Sequence, residues 1–323
     1  MRQLKLPGLN CRTDLVVYTG DNVTNVAPRQ QPGWDALLEV PIARALPHAI
    51  ILGNHDDEYD WTRAQIIACV SPKPHSLTRH GPAHLAGAGN YYLKILPSAK
   101  AATAATTAAS AAETSENDRP AAILWFMDSL AYRHDAKGKR NGYASVTREQ
   151  IDWYRQTSAA LTRANHGAPH PALLFLHTPL HEFDYIVDTR NRRHFAPVRP
   201  WVGICQEPAG AGPINTGLFA AMHDAGDVIG VFCGHNHYNN YIGVFEEIVL
   251  AYGRWSGDDQ ATTYKRIGAK IEGGANIIVL KENARAFTTH TRLHTGGIIH
   301  QARYPDSFAL PKKKKQPHQL YIP

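Results

Sequence analysis

Four apolar runs in the sequence each stop abruptly before a residue that can bind a metal ion. They are LVVYT before Gly20-Asp21, AIIL before Gly53-Asn54-His55-Asp56, ALLFL before His177, and VIGVFC before Gly234-His235-Asn236-His237. Apolar runs without alternation are typical of strands buried on both faces, with helices packed on each side of the sheet. Side chains that follow such strands gather at the carboxyl edge of the sheet. The sequence therefore predicts an α/β fold in which four distant segments meet at one site.

The residues expected to meet there have the chemistry of a metal site. The candidate ligands are Asp21, Asn54, His177, His235 and His237, with His55 and Asp56 beside them. One carboxylate, one amide oxygen and three imidazoles, without a thiolate, suit Zn, Fe, Mn or Ni. Two metal ions about 3.5 to 4 Å apart, sharing a carboxylate, activate a hydroxide and stabilise the oxygens of a phosphoryl group during displacement. The set therefore favours phosphoester hydrolysis.

Each candidate also has a simpler interpretation when it is taken alone. Gly20-Asp21 could be an ordinary turn, and His177 could be a core histidine with a satisfied hydrogen bond. His235 and His237 could be loop histidines. Only their joint placement after four apolar runs favours a metal site.

Composition and missing motifs exclude several other classes. The chain has 323 residues, of which 43% are hydrophobic and 19% charged, enough for one large core or two smaller ones. It contains no apolar run of about 18 residues, no apolar signal stretch after Met1 and no CxxC pair among its four cysteines. The loops that define serine hydrolases, P-loop NTPases and Rossmann dehydrogenases are absent from the sequence. These features do not indicate a cellular compartment.

The predicted organisation is one domain over residues 1–304, with an insertion at 97–120 and a tail at 305–323. The insertion is rich in Ala, Thr and Ser without apolar periodicity, so we expect it to be disordered or weakly helical. The tail contains the run Lys312 to Lys315, which favours a solvated segment over a nuclear-targeting or nucleic-acid patch. Helices are predicted from Thr147 and from Thr216, the second ending at Gly226.

Blocks of sequence at these positions resemble a known superfamily. TGDN at 19–22, GNHD at 53–56, the lone His177 and GHNH at 234–237 are similar to consecutive blocks of the calcineurin-like metallophosphoesterases. Intervening segments such as FMDS at 126–129 and LHTPLHEF at 176–183 resemble the single-domain branch of purple-acid-phosphatase-like proteins in fungi and plants. The resemblance implies a two-sheet β-sandwich flanked by helices.

The resemblance also implies a role for each candidate residue. The metal ligands would be Asp21 as the bridge, Asn54, His177 and His235 on one metal, and His237 on the other. His55 would contact the substrate, either stabilising the transferred phosphoryl group or protonating the leaving oxygen. Asp56 would lie behind His55 and fix its tautomer. The expected cofactors are two divalent or trivalent ions, Fe, Zn or Mn.

One departure from the family pattern affects activity. The family opens with Asp-x-His at the end of a first strand, but only twenty residues precede Asp21 and none reads Asp-x-His. Asp14 begins the strand that ends at Asp21, so it would lie more than about 20 Å from the site. We therefore expect the fold to lack its first strand, either because the sequence is truncated at its amino end or because the protein is a degenerate relative. The chain as given is expected to bind one metal tightly and to be nearly inactive.

The function predicted from the sequence is a metal-dependent phosphomonoesterase of the acid- or protein-phosphatase type. The alternatives are a non-catalytic relative that binds a phosphorylated partner, and a phosphodiesterase. The expected substrate is a phosphorylated small molecule or a phosphoprotein. No aromatic and basic pattern indicates nucleic-acid binding, and no segment indicates a membrane partner.

Overall fold

The computed structural model describes residues 13–23, 30–98, 119–188, 196–197, 201–257, 272–282 and 284–308. Most of the predicted insertion lies outside these residues, and so does the predicted tail beyond residue 308. The described helices are α1 Gln30–Ala43, α2 Arg63–Val70, α3 Arg148–Ala164 and α4 Leu218–Ala225, with 3₁₀ turns at His181–Tyr185 and Asp306–Phe308. The described strands are β1 Val16–Thr19, β2 His48–Ile51, β3 Tyr91–Ile95, β4 Ala122–Phe126, β5 Tyr132–His134, β6 Arg140–Tyr143, β7 Ala172–Phe175, β8 Val187–Asp188, β9 Ala196–Pro197, β10 Trp201–Ile204, β11 Val228–Cys233, β12 Asn240–Phe245, β13 Ile248–Tyr252, β14 Gly274–Leu280, β15 Phe287–Leu293 and β16 Ile298–Tyr304.

The largest sheet has seven strands in the order β10-β12-β13-β11-β7-β4-β3. Its centre is parallel, because β13, β11, β7 and β4 run in one direction, and its edges are antiparallel. Each residue of β4, β7 and β11 is buried, as expected for strands covered on both faces.

A second layer covers one face of this sheet. It consists of the parallel pair β1-β2 and the antiparallel sheet β14-β15-β16. A hydrophobic core between the layers joins Ile51 of β2, Phe175 and Phe232 of the large sheet, and Phe287 of β15. The predicted two-sheet sandwich is therefore confirmed.

Helices cover the outer faces of both layers. Tyr154 of α3 and Met222 of α4 pack on the far side of the large sheet, against residues such as Leu174. Trp34 of α1 and Ile67 of α2 pack against β2 from the opposite side. The helix predicted from Thr147 is observed as α3, where the Thr147 side chain caps the Gln150 amide. The helix predicted to stop at Gly226 is α4, whose C-cap is Gly226 in the left-handed conformation.

The folded part extends beyond the boundary predicted at residue 304. Asp306–Phe308 forms a 3₁₀ turn, and Phe308 is buried in the core between the two layers. The sequence prediction placed this segment in the tail because a single aromatic residue among prolines shows no periodic apolar face. No helix among the described residues is long and apolar enough to cross a bilayer.

Candidate metal centre

The carboxyl ends of four strands from the two layers converge on one point. Asp21 follows β1, Asn54 follows β2, His177 follows β7 and His235 follows β11. His177 Nε2 lies 3.1 Å from Asp21 Oδ2, 3.2 Å from Asn54 Oδ1 and 3.3 Å from His235 Nδ1. Possible ligand atoms of Asp21, His177 and His235 all lie within 4.8 Å of one another. The structure thus brings together four of the five predicted ligands, here called the metal cluster: Asp21, Asn54, His177 and His235.

Two glycines allow the loops to approach this closely. A Cβ on Gly20, whose φ is +92°, would lie 2.3 Å from His177 Nδ1, and a Cβ on Gly53 would lie 2.2 Å from Asp21 Oδ1. Both separations are well inside van der Waals contact, so no larger residue fits at either position. Asp21 and His235 have φ angles of 52° and 72°, which are unfavourable for residues other than glycine. Such conformations cost about 1 to 3 kcal/mol each, so the surrounding contacts must hold both residues in place.

Hydrogen bonds at the outer side of the cluster decide which atoms face inward. His177 Nδ1 donates to the Thr19 carbonyl oxygen at 2.7 Å, which leaves Nε2 of the neutral ring as a ligand atom. The Asn54 Nδ2 group donates to the Tyr132 hydroxyl at 2.7 Å, which leaves Oδ1 facing the cluster. A carboxylate oxygen, an amide oxygen and two imidazole nitrogens with these orientations fit a Zn, Fe or Mn ion.

The cluster is electrostatically coupled. Burial acts to raise the pKa of Asp21, but the charge of His177 and hydrogen bonds from His177 and the His55 amide hold it below its usual range. Burial acts to lower the pKa of His177, but the Asp21 carboxylate outweighs this effect and raises it. Burial and the charge of His177 lower the pKa of His235 to about 3. His235 is therefore neutral at physiological pH, as a metal ligand must be.

The fifth predicted ligand, His237, lies beside the cluster and not within it. Its ring packs against Trp255, with the two ring centroids 4.2 Å apart. Burial lowers the pKa of His237, while Asp21 opposes this shift and His177 reinforces it, so the ring is within electrostatic range of the cluster. Its role in binding a second metal stays a prediction.

Asp56 joins two of the loops at the site. The carboxylate is buried and accepts hydrogen bonds from the backbone amides of Asn22, Val23 and Gly53 at 2.8, 3.0 and 2.7 Å. These bonds fix the loop after β2 against the loop after β1. The carboxylate that contacts His55 Nδ1, at 2.6 Å, belongs to Glu58. The predicted role of Asp56 behind His55 stays a prediction, whereas Glu58 was missed because adjacency in sequence does not show to which side of a tight turn a side chain points.

The β5–β6 hairpin contributes residues that the sequence interpretation missed. Tyr132 of β5 holds the Asn54 amide and donates to Glu58 Oε1 at 3.0 Å. Arg140 of β6 contacts Glu58 Oε1 at 2.8 Å and lies over the Tyr132 ring at 3.8 Å. Tyr143 of β6 meets the His235 ring edge to face, with centroids 4.3 Å apart. The only signal in the sequence was the FMDS block at 126–129, which ends shortly before Tyr132.

A buried ion pair fixes the loop that carries Asn54 and His55. Arg63, at the start of α2, donates to both carboxylate oxygens of Asp128, at 2.8 and 2.5 Å. The same guanidinium donates to the carbonyl oxygens of Leu52 and Gly53 at 3.1 and 2.9 Å. Because Asp128 follows β4, this clamp ties the loop after β2 to the large sheet.

Known proteins that are similar in sequence to this chain include proteins named as phosphatases. "Probable inactive purple acid phosphatase 29" of Arabidopsis thaliana is 30% identical over 253 residues, which are 75% of this chain and 59% of that protein. "Phosphatase DCR2" of Saccharomyces cerevisiae is 27% identical over 237 residues, 71% of this chain and 37% of that protein. The chain is a homologue of these purple-acid-phosphatase-like proteins. The resemblance identified from the strand-end blocks is confirmed, although this chain spans only part of the length of these relatives.

The metallophosphoesterase fold is supported independently by a solved structure. A dimetal phosphatase from Danio rerio aligns with a TM-score of 0.55 at 9% sequence identity, over 90% of this chain and 83% of that chain. At this identity the likeness shows the fold alone. No protein-family model matches the chain.

Proposed function

We propose that this protein is a metal-dependent phosphoester hydrolase that acts on phosphomonoesters. The observation that carries the proposal is the metal cluster, where one atom of each of Asp21, Asn54 and His235 lies within 3.3 Å of His177 Nε2. The phosphatase names of the homologues and the dimetal phosphatase fold support the same reaction class.

The metal cluster would hold one Fe, Zn or Mn ion tightly. Bound metal ions lower the pKa of coordinated water and neutralise charge on a phosphoryl group. The chain's own contribution is to present Nε2 of His177 and Oδ1 of Asn54 in fixed orientations, through their bonds to Thr19 and Tyr132. Asp21 would also contact a second ion together with His237.

His55 is the residue best placed to act on the substrate. Its backbone amide donates to Asp21 Oδ1 at 2.8 Å, which holds it against the metal cluster, yet its side chain is 44% exposed. An accessible imidazole in this position would protonate the leaving oxygen or contact the transferred phosphoryl group. A phosphorylated small molecule or a phosphoprotein would be the substrate.

A non-catalytic relative that binds a phosphorylated partner is the second candidate. Among the described residues, the second metal position has only Asp21 and His237 as candidate protein ligands, which would make a weak site. The plant relatives also carry the word "inactive" in their names. We propose that added metal is needed to fill this position and support turnover.

The test is an assay of the purified chain with glycerol 2-phosphate, p-nitrophenyl phosphate and a phosphodiester, in excess Mn or Zn. Phosphomonoester turnover that is low without added metal and rises with it is expected, and His55→Ala should lower kcat for glycerol 2-phosphate, whose leaving oxygen needs a proton, by about 10² to 10⁴. Metal content should be the same in His55→Ala and in the control His84→Ala, which changes an exposed histidine outside the cluster.

Three outcomes would count against parts of this proposal. Loss of metal in His55→Ala at unchanged activity per metal would contradict the role of His55. Binding of phosphate or a phosphopeptide without turnover would favour the non-catalytic candidate. Preferred hydrolysis of the phosphodiester would replace the phosphomonoesterase assignment.

A further inference from the structure

We propose that Glu58 is a positioning residue that orients the His55 ring toward the metal cluster. The inference rests on the proposed function, in which His55 transfers a proton to the leaving oxygen. Neither the sequence blocks nor the homologues assign a role to Glu58.

Three side chains from two separate elements converge on the Glu58 carboxylate. His55 Nδ1 contacts Oε2 at 2.6 Å, while Tyr132 and Arg140 of the hairpin contact Oε1 at 3.0 and 2.8 Å. The side chain of Glu58 is only 21% exposed, compared with 44% for His55. An ordinary surface pair with an exposed histidine contributes little, because both side chains remain free to move. Here Tyr132 and Arg140 of the hairpin hold Glu58 in place, so Glu58 can restrict rotation of the His55 ring.

The contact determines which ring nitrogen of His55 is free. An ionised carboxylate only accepts hydrogen bonds, so His55 must carry its proton on Nδ1. Partial burial acts to raise the pKa of Glu58, but hydrogen bonds from His55 and Tyr132 outweigh it and hold the pKa below its usual value. With the Nδ1 proton held by Glu58, Nε2 is the nitrogen that takes up a second proton from solvent and gives it to the leaving oxygen, which returns the ring to its neutral form. The hydrogen bond from the His55 backbone amide to Asp21 Oδ1 fixes the backbone of the same residue.

The same residues form the wall of an open cleft beside the metal cluster. The cleft has a volume of about 320 Å³ and is lined by Asn54, Glu58, Tyr132 and Arg140, among others. Asn54 belongs both to this cleft and to the metal cluster. The cleft therefore opens beside the loop that carries His55.

The kinetic test compares two phosphomonoesters that differ in their need for a proton. An alkyl phosphate such as glycerol 2-phosphate leaves as an alkoxide unless it is protonated, whereas p-nitrophenolate leaves as a stable anion. Glu58→Gln should lower kcat for the alkyl ester by roughly tenfold to a hundredfold, part of the ~10² to 10⁴ that a proton donor contributes. The rate with p-nitrophenyl phosphate and the metal content should change less than about threefold. Glu39→Gln, at an exposed position of α1, is the matched control.

A double-mutant cycle separates positioning from a structural role. If Glu58 acts through His55, adding Glu58→Gln to His55→Ala should cause no further loss with the alkyl ester. Additive losses in the double variant, or equal losses with both substrates, would overturn the proposal.

Absence of turnover in the wild-type chain would refute the proposed function but would not test Glu58. A spectroscopic measurement tests the role of Glu58 in that case. In ¹H–¹⁵N spectra of the histidine rings, the signals absent from His55→Ala identify His55. We expect Nδ1 of this ring to be protonated in the wild type, and Glu58→Gln to shift its signals while Glu39→Gln leaves them in place. His55 signals that are the same in Glu58→Gln and in the wild type would contradict the positioning role.

Discussion

Tyr132 orients a ligand of the metal cluster from outside it. Its hydroxyl accepts from Asn54 Nδ2, and burial raises the pKa of Tyr132 to about 12, so the group stays protonated and also donates to Glu58. In Tyr132→Phe the Asn54 amide loses this partner and can rotate. We expect metal affinity to fall by about 10- to 100-fold, as for other groups that orient ligands. Chelator competition measures the change, and Tyr185→Phe, at an exposed tyrosine, serves as control. Unchanged affinity in Tyr132→Phe would remove this role.

The protonation of His177 predicts how metal binding depends on pH. Asp21 raises the pKa of His177 above its ordinary value of 6.5, so most of the metal-free rings are protonated at pH 6.5. A metal ion displaces this proton, whereas His235, with a pKa of about 3, has none to release. We expect about half to one proton released per metal at pH 6.5, with affinity rising with pH and levelling above the pKa of His177. Calorimetry in two buffers of different ionisation enthalpy measures the release. Affinity that is constant between pH 6 and 8 would contradict the assignment.

At the residue scale, sequence identified the residues of the metal cluster but not the residues that orient them. Asp21, Asn54, His177 and His235 follow apolar runs, and strand topology brings such positions together whatever the details of the loops. The contact between Glu58 and the His55 ring depends on the path of one turn. No spacing rule specifies that path.

At the element scale, the Arg63–Asp128 clamp holds the loop that carries Asn54 and His55 to the large sheet. Asp128 is fully buried and Arg63 is 11% exposed, so Asp128→Asn removes the bidentate partner of the guanidinium in a site that water reaches poorly and leaves Arg63 with Asp57, at 3.0 Å, as a charged partner. Asp128→Asn should lower the free energy of unfolding by about 3 to 5 kcal/mol. Guanidinium denaturation measures it. Asp35→Asn, which breaks the exposed pair with Lys73, should cost less than about 1 kcal/mol. Equal effects of the two variants would show that the clamp is not a stabilising element.

Long elements with strong patterns were predictable, and the β5–β6 hairpin was not. The helix from Thr147 has a capping box and an apolar face, and β11 is a continuous apolar run, so both can be identified from sequence. β5 and β6 have three and four residues, and none of their side chains is buried. Their position follows from contacts with Asn54, Glu58 and His235, which only the folded chain brings close.

At the scale of the whole molecule, Phe308 joins the last described segment to the core between the two layers. It is 6% exposed, although it lies beyond the boundary predicted from composition. Phe308→Ala should lower the free energy of unfolding by about 3 to 5 kcal/mol, because it leaves a cavity between the sheets. Denaturant unfolding measures the loss, and Val279→Ala, at a 55% exposed position, should cost less than about 1 kcal/mol. A loss in Phe308→Ala no larger than in Val279→Ala would place Phe308 outside the core.

The central claim is that both layers of the fold bring Asp21, Asn54, His177 and His235 together to bind a metal ion. Elemental analysis of the purified chain, after dialysis against metal-free buffer, tests it most directly. We predict about one tightly bound Fe, Zn or Mn ion per chain, retained in His84→Ala and lost in His177→Ala with the fold intact by circular dichroism. Equal metal content in His177→Ala and His84→Ala, or a metal-free wild type that binds none when Mn, Zn or Fe is added, would contradict the account.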